Sequence, residues 1–285
     1  MKLNPNRNYT DAFSQLRSNL TRWGIPPEFT DEIVECSLAV NFEKGVLVLS
    51  EGSTNDLFGC VLSGFVKVYC AVADGNRTLV RLVGPGELIG YADYIDARDR
   101  HAQLFEAQSS SKCSVALINR DHVARLLRGF ETDALVELLQ TLNTFWSQNL
   151  RWFATLLNLP FGQRLEVVLN DLALRFGVKD SRGTILIPEL AHEDLAEMIG
   201  CSRPMVSRLI AEMAEGGLLS RSGKQYLLLN QWNFGENENL SQVSSQVQAS
   251  VSLRAAKLGR RQKVTRLDPP PLVPCTRAHG AAAGR

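Results

Sequence analysis

The residues best equipped for chemistry lie in the segment GCSRPMVSRLIAEMAEGGLL, where two arginines and two serines stand close together. Helical spacing places Val206, Leu209, Ile210 and Met213 on one face, and Arg203, Pro204, Ser207 and Arg208 on the other. A guanidinium fork pairs bidentately with phosphate or with guanine O6 and N7, and a hydroxyl contacts a base or a phosphate. One face packs; the other offers polar recognition. Ser202 suits the N-cap, where its hydroxyl can satisfy a free backbone N–H, and Pro204 suits the first turn, where a missing N–H costs nothing. Upstream, Leu190 to Ile199 forms a short helix with Leu195, Ala196 and Ile199 on one side, stopping at Gly200. Downstream, Gly216-Gly217 ends the second helix, and LLSRSGKQYLLL forms a hairpin around Ser222-Gly223 with Arg221 and Lys224 flanking its tip. A solvated helix face in a structural bundle is the plainer alternative, but helix, turn, helix and basic hairpin in succession favour contact with double-stranded DNA.

Other chemistries find no support. The chain has no G-x-S-x-G, H-E-x-x-H or phosphate-binding loop and no paired carboxylate motif, so an enzyme is not expected. Six cysteines (Cys36, Cys60, Cys70, Cys113, Cys201 and Cys275) are scattered without zinc or iron–sulfur spacing. No metal site or cofactor is expected. Cys60 and Cys70 fall in successive strands, where two incidental thiols outweigh a redox pair, and His101 or His122 alone is a poor haem ligand. The formal charge of +1 is uninformative, because phosphate neutralisation depends on where the cations sit. MKLNPNRNYT lacks the apolar stretch of a signal peptide, and no segment reaches the ~20 apolar residues of a membrane span, so a cytoplasmic protein without membrane partners is expected.

The elements that must carry these side chains follow from periodicity. The 285 residues suffice for about two domains. A helical flap is expected over 1–39, with one helix around Thr10 to Trp23 and another from Glu28 to Leu38. From about Val40 to Asn119 short apolar or alternating runs between turn residues indicate a small antiparallel barrel or sandwich, with Asp74-Gly75 a strong hairpin signal; helical spacing resumes at Asp121, and the barrel domain is expected over 40–128. The segment 129–159 then carries a wide apolar stripe through Leu135, Leu138, Leu139, Leu142, Phe145, Trp146, Leu150, Phe153, Leu156 and Leu157. A helix this apolar needs more than one partner surface, which favours a homodimer over an ordinary core helix. Pro160-Phe161-Gly162 marks a hinge, and 160–232 holds a further helix to Phe176, the strand TILIP and the helix pair described above. The remaining 233–285 is polar, then basic in RAAKLGRRQKVTR, and is expected to be disordered.

With these residues in view, the chain resembles the Crp–Fnr superfamily of transcription regulators over about Phe29 to Trp232. LAEMIGCSRPMVSRLI is the most specific stretch, and SEGSTNDLFGCVLSGFVKVY with GPGELIG is the supporting one. The resemblance implies an α+β protein: an N-terminal cyclic-nucleotide-binding-like β jelly-roll, a long dimerisation helix and a C-terminal winged helix-turn-helix. It implies a sequence-specific DNA-binding regulator reading a pseudo-palindrome as a homodimer, with RNA polymerase as a further partner. By motif, Arg203 and Arg208 match base-reading arginines and Ser207 a serine that some members use beside the second. Pro204 departs from a frequent glutamate that accepts from cytosine N4. Ala191 departs from a frequent Ser or Thr cap, leaving His192 or Glu193 to adjust that helix end. Members that bind a cyclic nucleotide carry a carboxylate after a glycine and a downstream Arg-Ser/Thr-Ala. Here the equivalents are Gly90-Tyr91-Ala92 and Arg100-His101-Ala102, so an effector pocket would involve Gly90, Tyr91, Arg100 and His101, with a cyclic nucleotide disfavoured. The rival expectation is a ligand-binding regulatory module whose helix-turn-helix is only a packing unit.

Overall fold

A computed structural model describes residues 5–22, 25, 27–50, 57–71, 77–90 and 105–232. Two helices, α1 (Pro5–Arg22) and α2 (Pro27–Glu35), precede eight strands: β1 (Leu38–Phe42), β2 (Leu47–Leu49), β3 (Leu57–Ser63), β4 (Val66–Ala71), β5 (Arg77–Val83), β6 (Leu88–Ile89), β7 (Phe105–Ser109) and β8 (Cys113–Asn119). They form two four-stranded antiparallel sheets, ordered β1-β8-β3-β6 and β2-β7-β4-β5, as expected of a jelly-roll. The strand β1 opens at Leu38, so the barrel starts within the range expected for the flap. The β4–β5 ladder runs to Ala71 against Arg77, which is the pairing a hairpin requires, while Asp74-Gly75 lies outside the described residues.

Strand β3 is buried continuously from Gly59 to Leu62 because both of its faces are covered. Val61 points into the sandwich with Val66, Val83, Ile89 and Val115. Cys60 and Leu62 point outward beneath Leu16, Leu20, Ile33 and Val34 of the two N-terminal helices. Period-two alternation thus turns one apolar run into two separate cores. It also separates the two thiols, in line with the expectation of two incidental cysteines: Cys60 and Cys70 lie in strands of different sheets, and Cys60 is buried, with Asn19 donating to its sulfur at 3.6 Å. Burial pushes the Cys60 thiol up to about 11, which keeps it protonated.

After α3 (Arg120–Leu127), α4 (Thr132–Asn158) runs without a glycine or proline. It stops because Leu159, preceding Pro160, is extended at φ −105°, ψ 149°. Then α5 (Phe161–Phe176), β9 (Gly177–Asp180), β10 (Gly183–Leu186), α6 (His192–Ile199), α7 (Arg203–Glu215), β11 (Leu219–Ser222) and β12 (Gln225–Leu229) follow. The sheet β11-β12-β10-β9 contains one strand more than periodicity suggests, since GVKD pairs with GTIL as an edge hairpin. The core of this unit joins Leu165, Leu169 and Leu172 of α5, Leu195 and Ile199 of α6, Val206 and Ile210 of α7, and Tyr226 of β12.

The two units are docked. Leu82 of β5 belongs to the C-terminal core, and Phe65 meets the Phe176 ring edge-on at 5.2 Å. Gly84 permits this approach, as a Cβ there would lie 2.3 Å from the Phe176 ring. Arg175 of α5 binds both oxygens of Glu87 (2.7 and 3.1 Å), Asp171 (2.7 Å) and the Leu82 carbonyl (2.6 Å). Arg81 reaches Glu87 at 3.3 Å and Asn149 of α4 at 2.8 Å. Burial alone would raise the Glu87 carboxyl, but Arg175 and Arg81 overcome it and hold the group below the usual carboxylate range. Barrel and C-terminal unit therefore share one ionic cluster, to which the long helix adds the neutral amide of Asn149.

Candidate nucleic-acid interface

Helix α6 ends at Gly200, whose backbone is left-handed (φ 70°, ψ 41°). That conformation reverses the chain sharply and releases Ser202, extended at φ −81°, ψ 150°, to open α7. Ser202 occupies the expected N-cap position, but its hydroxyl makes no capping bond, so backbone geometry and Pro204 start the helix instead. The expectation for α6 also changes. Neither His192 nor Glu193 caps it; Asp194 accepts from the Ala191 N–H at 2.9 Å. The same carboxylate pairs with Lys67 of β4 at 2.5 Å, and Glu197 accepts from the Leu79 N–H of β5 at 2.9 Å. The first helix of the motif is thus held against the barrel by its own acidic residues.

On α7 the apolar face is buried through Val206, Leu209, Ile210 and Met213, while Ser202, Arg203, Pro204 and Arg208 are exposed. Arg203 pairs with Glu193 at 2.8 Å and Arg208 with Glu212 at 3.4 Å, all four side chains being more than half exposed. Such exposed pairs are worth about 0–1 kcal/mol, so either guanidinium exchanges its carboxylate for another partner at little cost. Ser207 differs from expectation. It is half-buried, and its hydroxyl donates to the Arg203 carbonyl at 3.1 Å and lies 2.8 Å from His192 Nδ1, joining α7 to α6. His192 is held below its ordinary value by partial burial and by the cations Arg221 and Arg203, although Glu193 opposes them.

The hairpin after α7 turns at Gly223, where φ is 63°. Lys224 is well exposed beside its tip, 3.8 Å from Glu189. Arg221 folds back, donating to the Tyr226 hydroxyl at 2.9 Å and lying 4.0 Å above that ring. One wing cation holds this exposed, weak ion pair and can leave it to reach outward, while the other braces the hairpin. Periodicity missed Arg164, which donates to the carbonyls of Leu157, Leu159 and Ile199. It ties the ends of α4 and α6 together, and its place at the start of an amphipathic helix after a proline is a weak signal in one sequence.

Of the effector-pocket residues, Gly90 follows β6 with φ 74°, and its carbonyl accepts from Arg120 at 2.9 Å. A Cβ there would lie 2.7 Å from Leu49 Cδ1, which accounts for the glycine by packing. Tyr91, Arg100 and His101 lie outside the described residues, as does 233–285. Among the described residues no group of three His, Cys, Asp or Glu side chains is arranged to hold a metal ion, and no helix is long and apolar enough to cross a membrane.

Comparison with known proteins agrees with this geometry. A family profile described as a cyclic nucleotide-binding domain matches residues 39–130, and one described as a Crp-like helix-turn-helix domain matches residues 155–233. The chain is 24% identical over 205 residues to a CRP-like cAMP-activated global transcriptional regulator of Mycobacterium tuberculosis, covering 72% of this chain and 90% of that protein. It is 29% identical over 188 residues to the probable transcriptional regulator flp of Lacticaseibacillus casei, covering 66% and 81%. The solved structure of FixK2 from Bradyrhizobium japonicum shares the fold at TM-score 0.59 and 18% identity, over 72% of this chain and 96% of that one.

Proposed function

We propose, from the premise that this chain belongs to the Crp–Fnr family of transcription regulators, that it binds a pseudo-palindromic DNA site as a homodimer, placing two copies of α7 in successive major grooves. The observation carrying this reading is the division of α7 into a buried apolar face and an exposed face bearing Arg203, Pro204 and Arg208. Guanine O6 and N7 suit the two guanidinium forks, which leave weak surface ion pairs to reach them. Lys224 would contact phosphate from the wing, whereas Ser207 and His192 support the reading helix from behind.

Dimerisation would proceed through α4. Leu139, Leu150 and Leu157 are 64%, 55% and 74% exposed in the isolated chain, although Leu156 is buried against the C-terminal core. Apolar side chains on both sides of one helix fit a partner helix beyond the chain's own domains. The domain division proposed is a helical flap, barrel, dimerisation helix and winged helix, with the barrel opening at Leu38. RNA polymerase is a proposed further partner. The mycobacterial relative is described as cAMP-activated, yet Gly90-Tyr91-Ala92 offers no carboxylate to a ribose, which favours a different signal.

Selection of bound duplexes from a random pool tests the reading. A symmetric consensus should emerge, with affinity falling steeply as salt rises. Arg203→Ala and Arg208→Ala should each lose about 1–3 kcal/mol and relax one base position. Salt-independent or sequence-blind binding would refute it.

A further inference from the structure

We propose that Pro204 is a specificity-determining residue that takes the 5-methyl group of a thymine, so that each half-site carries thymine beside the guanine read by Arg208. This rests on the reading of α7 as the recognition helix. Pro204 is exposed in the first turn and shares a helix face with Arg208, four residues on. Its pyrrolidine ring has no donor and no acceptor, and its nitrogen carries no hydrogen. The hydroxyl one turn along, Ser207, is engaged by His192 and the Arg203 carbonyl, and the exposed carboxylates Glu193 and Glu212 pair with the flanking arginines rather than with the ring. Between two cations the surface therefore presents an apolar patch with nothing to exchange for the hydrogen bonds of a polar base edge.

In the major groove only thymine offers an apolar group, the C5 methyl, at its edge. Cytosine N4 or adenine N6 pressed against the ring would lose water and gain no acceptor, which is the costly outcome for a buried donor. A methyl in the same place gains burial against the ring. The proline therefore selects for thymine both by attraction and by exclusion. A proline present merely to start the helix would instead affect all DNA sequences equally, since it would act through the fold of α7.

The test uses the full chain and the half-site obtained by selection. Replacing each thymidine singly by deoxyuridine removes one methyl, and binding should fall by about fourfold per half-site at one position only. At that position 5-methylcytosine should bind better than cytosine. Pro204→Ala, which keeps one of the three ring methylene positions, should lessen the loss on going from thymidine to deoxyuridine, and Pro204→Glu should shift the selected base to cytosine. Deoxyuridine tolerated at every position by the unaltered protein overturns this inference alone. Failure of any sequence preference to emerge overturns the recognition-helix reading itself, and this inference with it. The deoxyuridine measurement needs no variant, so it can overturn the inference even where a substituted chain fails to fold.

Discussion

Replacing Glu87 by glutamine tests whether the C-terminal unit is docked on the barrel. Glu87 accepts from Arg175 at 2.7 and 3.1 Å, from Arg81 at 3.3 Å and from the Gly84 N–H at 2.8 Å. Removing one member of a fully buried ion pair costs about 3–5 kcal/mol, because the other charge is left uncompensated. Here the two side chains keep 26% and 16% exposure, and Arg175 retains Asp171, so the cost should fall to about 2–3 kcal/mol. Arg175→Met should cost about as much, and the double variant should cost less than the sum by about 1–2 kcal/mol. Urea unfolding followed by tryptophan fluorescence and circular dichroism measures all three. The singly altered chains should also unfold in two steps as the units part. Additivity within about 0.5 kcal/mol would show that the pair does not form in solution and would refute the docked arrangement. The acid limb supplies a second readout. The folded Glu87 carboxyl lies below its ordinary value, so its stabilisation is present above the unfolded carboxyl's value and is lost as pH falls through the folded one; Glu87→Gln should flatten that limb.

Three further outcomes follow from the same geometry. Leu139→Glu and Leu157→Glu should leave the unfolding of the single chain unchanged while weakening self-association by about a hundredfold or more in sedimentation, since each leucine buried by a partner contributes about 1.5–3 kcal/mol and each occurs twice. His192 has a depressed folded value, so its neutral form is favoured by folding; stability should fall as pH drops below the unfolded value of about 6.5, and His192→Gln should remove that dependence in pH-resolved melting. Gly200→Ala forces a Cβ into the left-handed region although its nearest neighbour is Arg164 Nη1 at 3.7 Å, so strain alone should cost about 1–2 kcal/mol, measurable by melting temperature.

Much of the architecture was written in local patterns. Leu195, Ala196 and Ile199 before Gly200, then Val206, Leu209, Ile210 and Met213 after Ser202, specify two short helices because helical burial repeats within one or two turns. The unbroken segment up to Pro160 likewise specifies α4, and alternating runs specify the barrel strands. What periodicity cannot carry is the identity of partners distant in the chain. Arg175 meets Glu87 across 88 residues and Lys67 meets Asp194 across 127, and neither spacing leaves a trace in the sequence. Cys60 and Cys70 are close in sequence, yet the chain crosses from one sheet to the other between them. Ser207 lies on the polar side of α7 by spacing alone, but His192 stands where it can take that hydroxyl. The amino-acid pattern thus determined which elements form and which arginines face outward, because those depend on neighbours a turn away. Tertiary packing decided which polar groups remain available for DNA, because each donor and acceptor is satisfied by whatever the fold brings within about 3 Å.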